Sequence, residues 1–442
     1  MDKIIIIGAG IAGLTTAIEL APFFEITVLE ARDRLGGRIY TTVASDHQTP
    51  IELGATFFEG YGENPFFQKY LSTTPHDNKP FIKKLNLDGS LVFNGDHLDP
   101  RQYSMHALKQ YYEIAQKEYE QALNSSWQIG KTLEEFVATI CHPFQRDKEK
   151  YYWVKKFIEY ELLHHNTHLS LPGIPSFDKS HENKALDGWN QRDANISFVV
   201  GGYDKVIQQM HSQCLNLGVS IKTGSGVIQI NDHGVKGVTV ITADNQSYFA
   251  AKVISTIPIG VLKTQAESLF NPSLSNDKML AIAAMGVHQA TRISLEFGSP
   301  FWDNLASPYI FLAKPDQASF TDFRNGYPLH QKAILQSDHY SNIVGSASDV
   351  VDTVMKDLRL IFPDAPAPIQ SMVYRWSDDI YAQGSYPYRT IYITEALQQA
   401  LERPEGNIYF AGADFSRYGF SVHHAYASAI RTAQQIKLNF ML

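Results

Sequence analysis

The sequence predicts an α/β fold organised around a parallel, nucleotide-binding βαβ unit. Three observations carry this: an all-apolar, β-branched run at Ile4 to Ile7, the spacing of Gly8, Gly10 and Gly13 directly after it, and an acid, Glu30, twenty residues beyond Gly10. A run that is apolar at every position is the pattern of a strand buried on both faces of a parallel sheet. The G-x-G-x-x-G spacing acquires meaning only between such a strand and a helix. The helix follows, with Leu14, Ala17, Ile18 and Ala21 directed inward and Pro22 as its stop. Gly8 permits the tight turn, Gly10 lets backbone approach a pyrophosphate, and Gly13 lets the helix lie against the strand. The helix N-terminus offers N–H groups and a positive dipole end to the phosphates. A second strand, Ile26 to Leu29, ends at Glu30, whose carboxylate can accept hydrogen bonds from ribose hydroxyls, as a nucleotide without a 2′-phosphate requires. A glycine-rich turn in an ordinary α/β protein is the competing reading of the triplet alone. Strand, triplet, helix, strand and acid in register weigh against it.

Composition bounds the remainder. At 442 residues and 49.7 kDa the chain is long enough for two domains sharing an interface. A hydrophobic content of 44% beside 19% charged residues is that of a soluble globular protein. The formal charge of −8 is spread along the chain and argues against nucleic acid as a partner. Cys141 and Cys214 do not make a disulfide framework, which points to a reducing, cytoplasmic setting. The first strand is entered at Lys3, leaving no room for a signal peptide, and no apolar run approaches the roughly 20 residues that span a bilayer. No membrane association is expected, and the oligomeric state is not written in the sequence.

The run after Glu30 chooses between cofactors. Residues 32–38 read RDRLGGR, bringing a second glycine pair, Gly36 and Gly37, and further guanidinium groups towards the nucleotide. With this run the chain resembles the flavin-containing amine oxidase family, of monoamine and polyamine oxidase type, whose first motif ends in the same glycine, glycine, arginine triplet. The resemblance implies FAD and sets Arg38 near the pyrophosphate as a fixed, bidentate-capable cation. Residues 8–13, comprising Gly8, Ala9, Gly10, Ile11, Ala12 and Gly13, together with Glu30, Ala31 and Arg32, become its nucleotide contacts.

The resemblance continues along the chain. IELGATFFEGYGENPFF, residues 51–67, carries the family's acid, glycine, alanine run, which places Gly54, Ala55 and Thr56 against the flavin and ends in the Asn64 and Pro65 pair. Glu59 stands where the plant polyamine oxidase branch has a glutamate, and is the candidate for attracting a cationic substrate; a solvated loop acid is the other reading. From Asp99 the texture turns helical: Asp99 can cap, Pro100 suits the first helical position, and Met105, Leu108, Tyr112, Ala115, Tyr119 and Ala122 recur at helical steps. A second helical stretch holds Trp153 and Phe157, and RDKEK at 146–150 reads as a solvated face. His164, His165 and His168 lack a companion ligand at metal spacing, so no metal is expected. Roughly residues 75–190 read as an insertion covering the flavin.

FVVGGYDKV, residues 198–206, resembles the family's return to the nucleotide domain, entering a helix over 205–217 and a strand over 219–222. Val227 and Ile230 come next, where family backbone meets the adenine edge, and strands at 237–242 and 247–250 form a small antiparallel extension. VISTIPIGVLK, residues 253–263, reads as a strand ending in a phosphate-side turn that contains Thr256, Pro258 and Gly260. The family places a lysine ten residues before the tryptophan of a Phe-Trp pair, where it holds a water at flavin N5. Here Phe301 and Trp302 are present, but that position is Arg292. A planar, permanently charged guanidinium can hold a water or a carboxylate but suits no step needing a neutral amine; a salt-bridged strand arginine is the alternative. Runs at 309–312 and 332–336 suggest a sheet, and 350–362 a helix.

RWSDDIYAQGSYPY, residues 375–388, is the second dense match, giving Trp376 near the flavin ring and Tyr386 as one wall of an aromatic slot. An aromatic face beside the reacting carbon stabilises a developing cation. Ser385 stands where the monoamine oxidase branch has a cysteine bonded to FAD, which predicts noncovalent FAD. In NIYFAGADFSRYGFSVHHAYASA, residues 407–429, Gly412 allows close backbone approach, Ala413 replaces the family acid, and Asp414 becomes the acid for the ribityl hydroxyls. Ser421, Val422 and Ala425 open a helix aimed at the flavin, and His423 and His424 have structural roles.

These matches imply a discontinuous Rossmann-type FAD-binding domain (1–75, 190–265 and 388–442) and an α+β substrate-binding domain (76–189 and 266–387). The implied activity is FAD-dependent oxidation of a C–N bond by hydride transfer to flavin N5, with imine hydrolysis and release of hydrogen peroxide from O2. Arg292, Tyr386, Glu59 and Trp376 are the candidate catalytic residues. Glu59 favours a polyamine or other cationic amine. An L-amino acid oxidase, a catalytically weakened flavoprotein acting as a binding protein, and a desaturase or isomerase of the same superfamily are the alternatives.

Overall fold

In the computed structural model, the described residues are 1–58, 65–71, 195–302 and most of 305–441, together with the strands Ile82–Asn86 and Leu91–Phe93 and scattered positions between 114 and 155. A five-stranded sheet runs in the order Ile408–Phe410, Lys252–Ser255, Lys3–Ile7, Glu25–Leu29, Ser220–Lys222. Every pairing in it is parallel. The all-apolar run at its centre has a direct cause. Ile4 and Ile6 enter the core on one face, while Ile5 and Ile7 enter the core on the other. Burial of each such side chain contributes about 1.5–3 kcal/mol, so a polar residue at any of the four would remove stabilisation from one layer.

The first layer is formed by the helices Ile11–Leu20, Asp204–Asn216 and Val422–Met441, which contribute Leu14, Met210 and Ala429 among others to one apolar cluster. The second is formed by the helix Ile259–Leu269 and a four-stranded sheet ordered Ser247–Ala250, Val238–Thr242, Val227–Asp232, Phe270–Asn271. The antiparallel extension expected from the sequence is part of this sheet. The segment after Thr256 departs from the turn read in the sequence: Pro258, at φ −62°, is the boundary residue, and Ile259 already opens the helix. Proline is suited to a helix entry because its missing N–H has no helical partner there in any case.

A six-stranded sheet forms the second body, ordered Gln370–Arg375, Thr291–Glu296, Ile334–His339, Asp322–Asn325, Tyr309–Leu312, Leu91–Phe93. The helix Ala347–Ile361 covers it, burying Val350, Val354 and Leu358 against Ile293 and Leu335. This helix begins three residues before the apolar periodicity does, because Ser346 and Asp349 form a reciprocal capping box. Ile82–Asn86 pairs with Asn195–Val199, and Leu91–Phe93 with Tyr309–Leu312, so the described strands at the start of the long insertion join strands from outside it. Of the helices expected over 99–122 and around Trp153 and Phe157 only scattered helical positions are described (114, 117, 150, 151, 154 and 155), and Trp153, Phe157, His164, His165 and His168 lie outside the described residues. Among the described residues no helix is long and apolar enough to cross a membrane. Cys141 and Cys214 are buried thiols without a disulfide, and burial pushes the Cys214 thiol up to about 12.

Strand, turn and first helix are locked by two glycines. Gly8 has φ +101°, which L-residues avoid, and a Cβ on Gly13 would stand 1.9 Å from the Gly8 carbonyl oxygen. Gly13→Ala is therefore expected to force the helix off the strand and lower unfolding free energy by about 1–3 kcal/mol, measured by denaturant titration of the cofactor-free protein; an unchanged midpoint would show that the packing is not tight there.

Candidate cofactor and active site

The first helix begins at Gly10 without a side-chain cap and without an acid in its first turn. Ile11, Ala12 and Gly13 are nonetheless buried, and among the described residues no side chain takes up the N–H groups at this helix start. A buried helix N-terminus of this kind is suited to an anion, because its N–H groups and its positive dipole end face the same way. Around it the chain folds back on itself. Gly10 and Gly36 form an isolated parallel bridge, and the Gly36 N–H donates to the Ala9 carbonyl at 2.9 Å. Glu30, buried at the end of the second strand, accepts from the Ala9 N–H at 2.7 Å and the Arg32 N–H at 3.0 Å. The Ser225 and Gly224 N–H groups donate to the Glu30 and Arg32 carbonyls, and a Cβ on Gly226 would lie 3.7 Å from that of Ala31, which brings the approach to Val227 beside the acid. Thr256 donates to the Ile7 carbonyl through both its N–H and its hydroxyl, at 3.0 and 2.7 Å. These residues fit a dinucleotide: a phosphate-ready helix start, flanking glycines, and a carboxylate on the same rim.

The second half of the site gathers around Arg38. Its guanidinium pairs with Asp414 and donates to the Ser385 carbonyl at 2.8 Å. Asp414, which is buried, also accepts from the Ile259 N–H at 3.1 Å. The neighbouring Gly412 N–H meets the Ser428 hydroxyl at 3.2 Å, joining the 412–414 segment to the C-terminal helix, and Ala413 is buried beneath it. Val422, Ala425 and Ala55 pack against the same apolar cluster as the glycine-loop helix. Ser421, just before that C-terminal helix, bonds His424 Nδ1 at 2.7 Å and His423 Nδ1 at 3.0 Å. Burial keeps His424 well below the usual histidine range, and His423 and Arg389 add to the effect.

Residues 53–56 cross between the two bodies. The Leu53 and Gly54 N–H groups donate to the Tyr40 carbonyl at 2.8 and 3.2 Å, and the Ala55 N–H to the Arg38 carbonyl at 3.1 Å. From the other side Trp376 Nε1 donates to the Leu53 carbonyl at 2.8 Å. Arg292 donates through Nη1 to the Gly54 carbonyl and the Thr56 hydroxyl, while Nε and Nη2 hold Asp338 bidentately at 2.6 and 2.8 Å. Arg324 grips the second oxygen of Asp338 at 2.5 Å. Burial opposes the charge on Asp338, but the two guanidinium groups hold its carboxyl well below the usual range. Glu52 accepts from the Tyr203 N–H at 2.7 Å and the Thr41 hydroxyl at 2.8 Å, yet burial raises it to about 7.

The aromatic residues divide. Trp376 packs with Tyr374, ring centres 4.8 Å apart, whereas Tyr386 lies 4.9 Å from the His288 ring and 6.1 Å from Tyr340. Both belong to one loop, closed by the Gly384 N–H on the Trp376 carbonyl at 2.8 Å. That loop is tied to the loop after the second strand by Asp379, which pairs with Arg32 at 2.5 Å and accepts from the Tyr374 hydroxyl at 2.5 Å. Glu59 lies outside the described residues. Sequence reasoning missed Asp338, Arg324, Asp379, His288 and Tyr340. Asp379 had a signal, since it sits inside the 375–388 match; Asp338 stands in a stretch with no recognisable motif.

The sequence model of the family described as flavin containing amine oxidoreductase matches residues 11–437. Polyamine oxidase 4 of Oryza sativa subsp. japonica is 28% identical, the alignment covering 100% of this chain and 89% of that protein. Probable polyamine oxidase 4 of Arabidopsis thaliana is 26% identical over 98% of this chain and 86% of its own length. Lysine-specific histone demethylase 2 of Homo sapiens is 28% identical over 98% of this chain but 53% of its own length.

Two outcomes are expected from the charges. A carboxyl raised to about 7 favours its neutral form in the fold, so the stability Glu52 contributes is complete below the ordinary carboxylate pKa and lost as pH rises towards 7. Glu52→Gln keeps an acceptor for the Tyr203 N–H and removes the titration; denaturation midpoints of wild type relative to the variant are expected to fall between about pH 4.5 and 7. Asp338→Ala leaves two buried guanidinium groups unpaired and is expected to lose about 3–5 kcal/mol of stability, read from the same denaturation curves at pH 7.

Proposed function

The chain belongs to the flavin-containing amine oxidoreductases and is an FAD-dependent amine oxidase, and from that premise we propose that it oxidises a polyamine or another cationic amine with FAD bound noncovalently. The parallel sheet with residues 1–75, 190–265 and 388–442 is read as a Rossmann-type FAD-binding domain, and 76–189 with 266–387 as the substrate-binding domain. The observation that carries the reading is the uncapped, buried helix start at Gly10 with Glu30 on its rim, in a chain whose relatives named polyamine oxidases align over nearly their full lengths.

The substrate C–N bond becomes an imine, water hydrolyses the imine to a carbonyl compound, and O2 is reduced to hydrogen peroxide. FAD, when bound, supplies the acceptor for the hydride that leaves the carbon beside nitrogen. The chain's share is binding, orientation and exclusion of water. The helix start at Ile11 to Gly13 and Arg38 take the pyrophosphate, Glu30 the ribose, and Asp414 acts beside Arg38 at the ribityl end. Ser385 offers a hydroxyl where a covalent link would need a thiol. Trp376 and Tyr386 supply aromatic faces, which favour an approaching ammonium and the positive charge that develops at carbon. Glu59 is proposed to draw the cationic substrate in. An L-amino acid substrate would need a guanidinium for its carboxylate, and Arg292 is committed to Asp338, Gly54 and Thr56.

The test is the absorbance of the purified protein under anaerobic conditions. Flavin bands are expected, to be released as intact FAD on denaturation and bleached by spermidine or spermine, with peroxide formed on admitting air. Flavin that no amine bleaches would remove the oxidase reading, and bleaching by L-amino acids alone would remove the polyamine one.

A further inference from the structure

We propose that Arg292 is a positioning residue, a clamp that fixes the Gly54–Thr56 backbone for the bound flavin, with Asp338 and Arg324 as its holders; this rests on the functional reading above. Three of its contacts belong to one segment: the Gly54 carbonyl, the Thr56 hydroxyl and, at 3.4 Å, the Glu52 carbonyl. Its remaining donors, Nε and Nη2, are taken by the two oxygens of Asp338. The guanidinium is therefore spent on protein acceptors, and its plane is set by a bidentate partner. Asp338 faces Arg292 directly across the Thr291–Glu296 and Ile334–His339 pair. Arg324 Nη1 meets Asp338 Oδ2, the oxygen that Arg292 Nη2 also holds, and Arg324 lies over the Phe57 ring at 5.5 Å, so it reaches the residue after Thr56 as well. Side chains of all three charged residues are at most 12% exposed. Deprived of Arg292, the Gly54 carbonyl keeps only the Thr56 hydroxyl, at 3.2 Å, and in this buried setting the loss of its charged donor is not made good.

The geometry also says why a shorter cation would not serve. A lysine ammonium has three donors and no planar fork, and cannot reproduce the four bonds that Arg292 makes to both Asp338 oxygens, the Gly54 carbonyl and the Thr56 hydroxyl. The Ala55 N–H, on the peptide whose carbonyl Arg292 holds, donates to the Arg38 carbonyl at 3.1 Å. Release of the Gly54 carbonyl would thus loosen the contact between this segment and the loop proposed to meet the pyrophosphate.

The variants are Arg292→Lys, Thr56→Val and the pair, with three readouts: amide hydrogen exchange of the 53–58 region in cofactor-free protein, FAD dissociation constant, and visible circular dichroism of bound flavin. Arg292→Lys is expected to raise exchange at Ala55 at least tenfold, weaken FAD at least tenfold and alter the flavin dichroism. Thr56→Val is expected to cause a smaller change of the same kind in the wild-type background, and a change in the Arg292→Lys background confined to the loss of the Thr56 hydroxyl bond to the Gly54 carbonyl, so that the combined effect is less than the sum of the two. Wild-type exchange in Arg292→Lys overturns the clamp, and so does raised exchange with wild-type FAD affinity and dichroism. Should Arg292→Lys fail to fold, Thr56→Val alone decides, and a wild-type spectrum and affinity in it overturn the proposal. Wild-type protein that takes up no FAD overturns the functional reading and this inference with it; failure of the inference alone is distinguished by a wild type that binds FAD and variants that match it.

Discussion

Four residues, Leu53 to Thr56, impose the constraint on which the arrangement of the two bodies depends. They pass between the parallel sheet and the six-stranded sheet in a buried crossing, where each backbone N–H and carbonyl must find a partner within the protein. The partners come from widely separated parts of the chain. Arg38 and Tyr40 accept on one side, and Trp376 and Arg292 donate on the other. The two bodies have separate apolar cores, with Ile6 and Val253 in clusters of one and Ile293 and Val354 in that of the other. A small apolar cluster of Ile51 and Leu53 with Ile334 also joins them, but apolar burial does not by itself specify a registry, because it is not directional. Directional bonds to a shared strip of backbone do specify it.

Sequence exposed the local half of this arrangement and hid the other half. Strand, glycine triplet, helix and Glu30 lie within thirty residues, so their spacing is itself the geometry, and the structure realises it through the Ala9 to Glu30 hydrogen bond. The arginine pairs are separated by long stretches of chain: Arg292 meets Asp338 46 residues away, Arg32 meets Asp379 347 away, and Arg38 meets Asp414 376 away. No periodicity marks such a pair, because the spacing of its members is set by the path of the whole chain. Where local reading erred, a polar cue had been outweighed by an apolar one. The 347–361 helix starts at a capping box that precedes its apolar stripe, and Pro258 announced a helix entry in a run that read as strand and turn.

Arginine is the residue used at these junctions for a reason that magnitudes make plain. An exposed ion pair contributes about 0–1 kcal/mol, and a buried one is barely favourable once desolvation is counted. The Arg292, Asp338, Arg324 cluster is therefore poorly explained as a source of stability. It is better explained as a source of direction: the planar fork of Arg292 meeting a carboxylate has one good orientation, and the single bond from Arg324 Nη1 to Oδ2 braces the same carboxylate from another element. The same holds for Arg38, which is fixed by Asp414 and by the Ser385 carbonyl together.

The loop after the second strand and the loop that carries Trp376 and Tyr386 are consequently one mechanical unit. The loop that carries Trp376 and Tyr386 is fastened at Asp379 to Arg32 and at Ser385 to Arg38, two side chains of the loop after the second strand. Burial would raise Asp379, but the hydrogen bonds from Arg32 and the Tyr374 hydroxyl keep it below the usual carboxylate range, so it is an ionised tie at neutral pH. An occupant that draws either guanidinium towards its phosphates pulls on the backbone that holds the aromatic rings. The segments around Arg38, Asp379 and Asp414 come from different excursions of the chain, so each braces the others from a different direction.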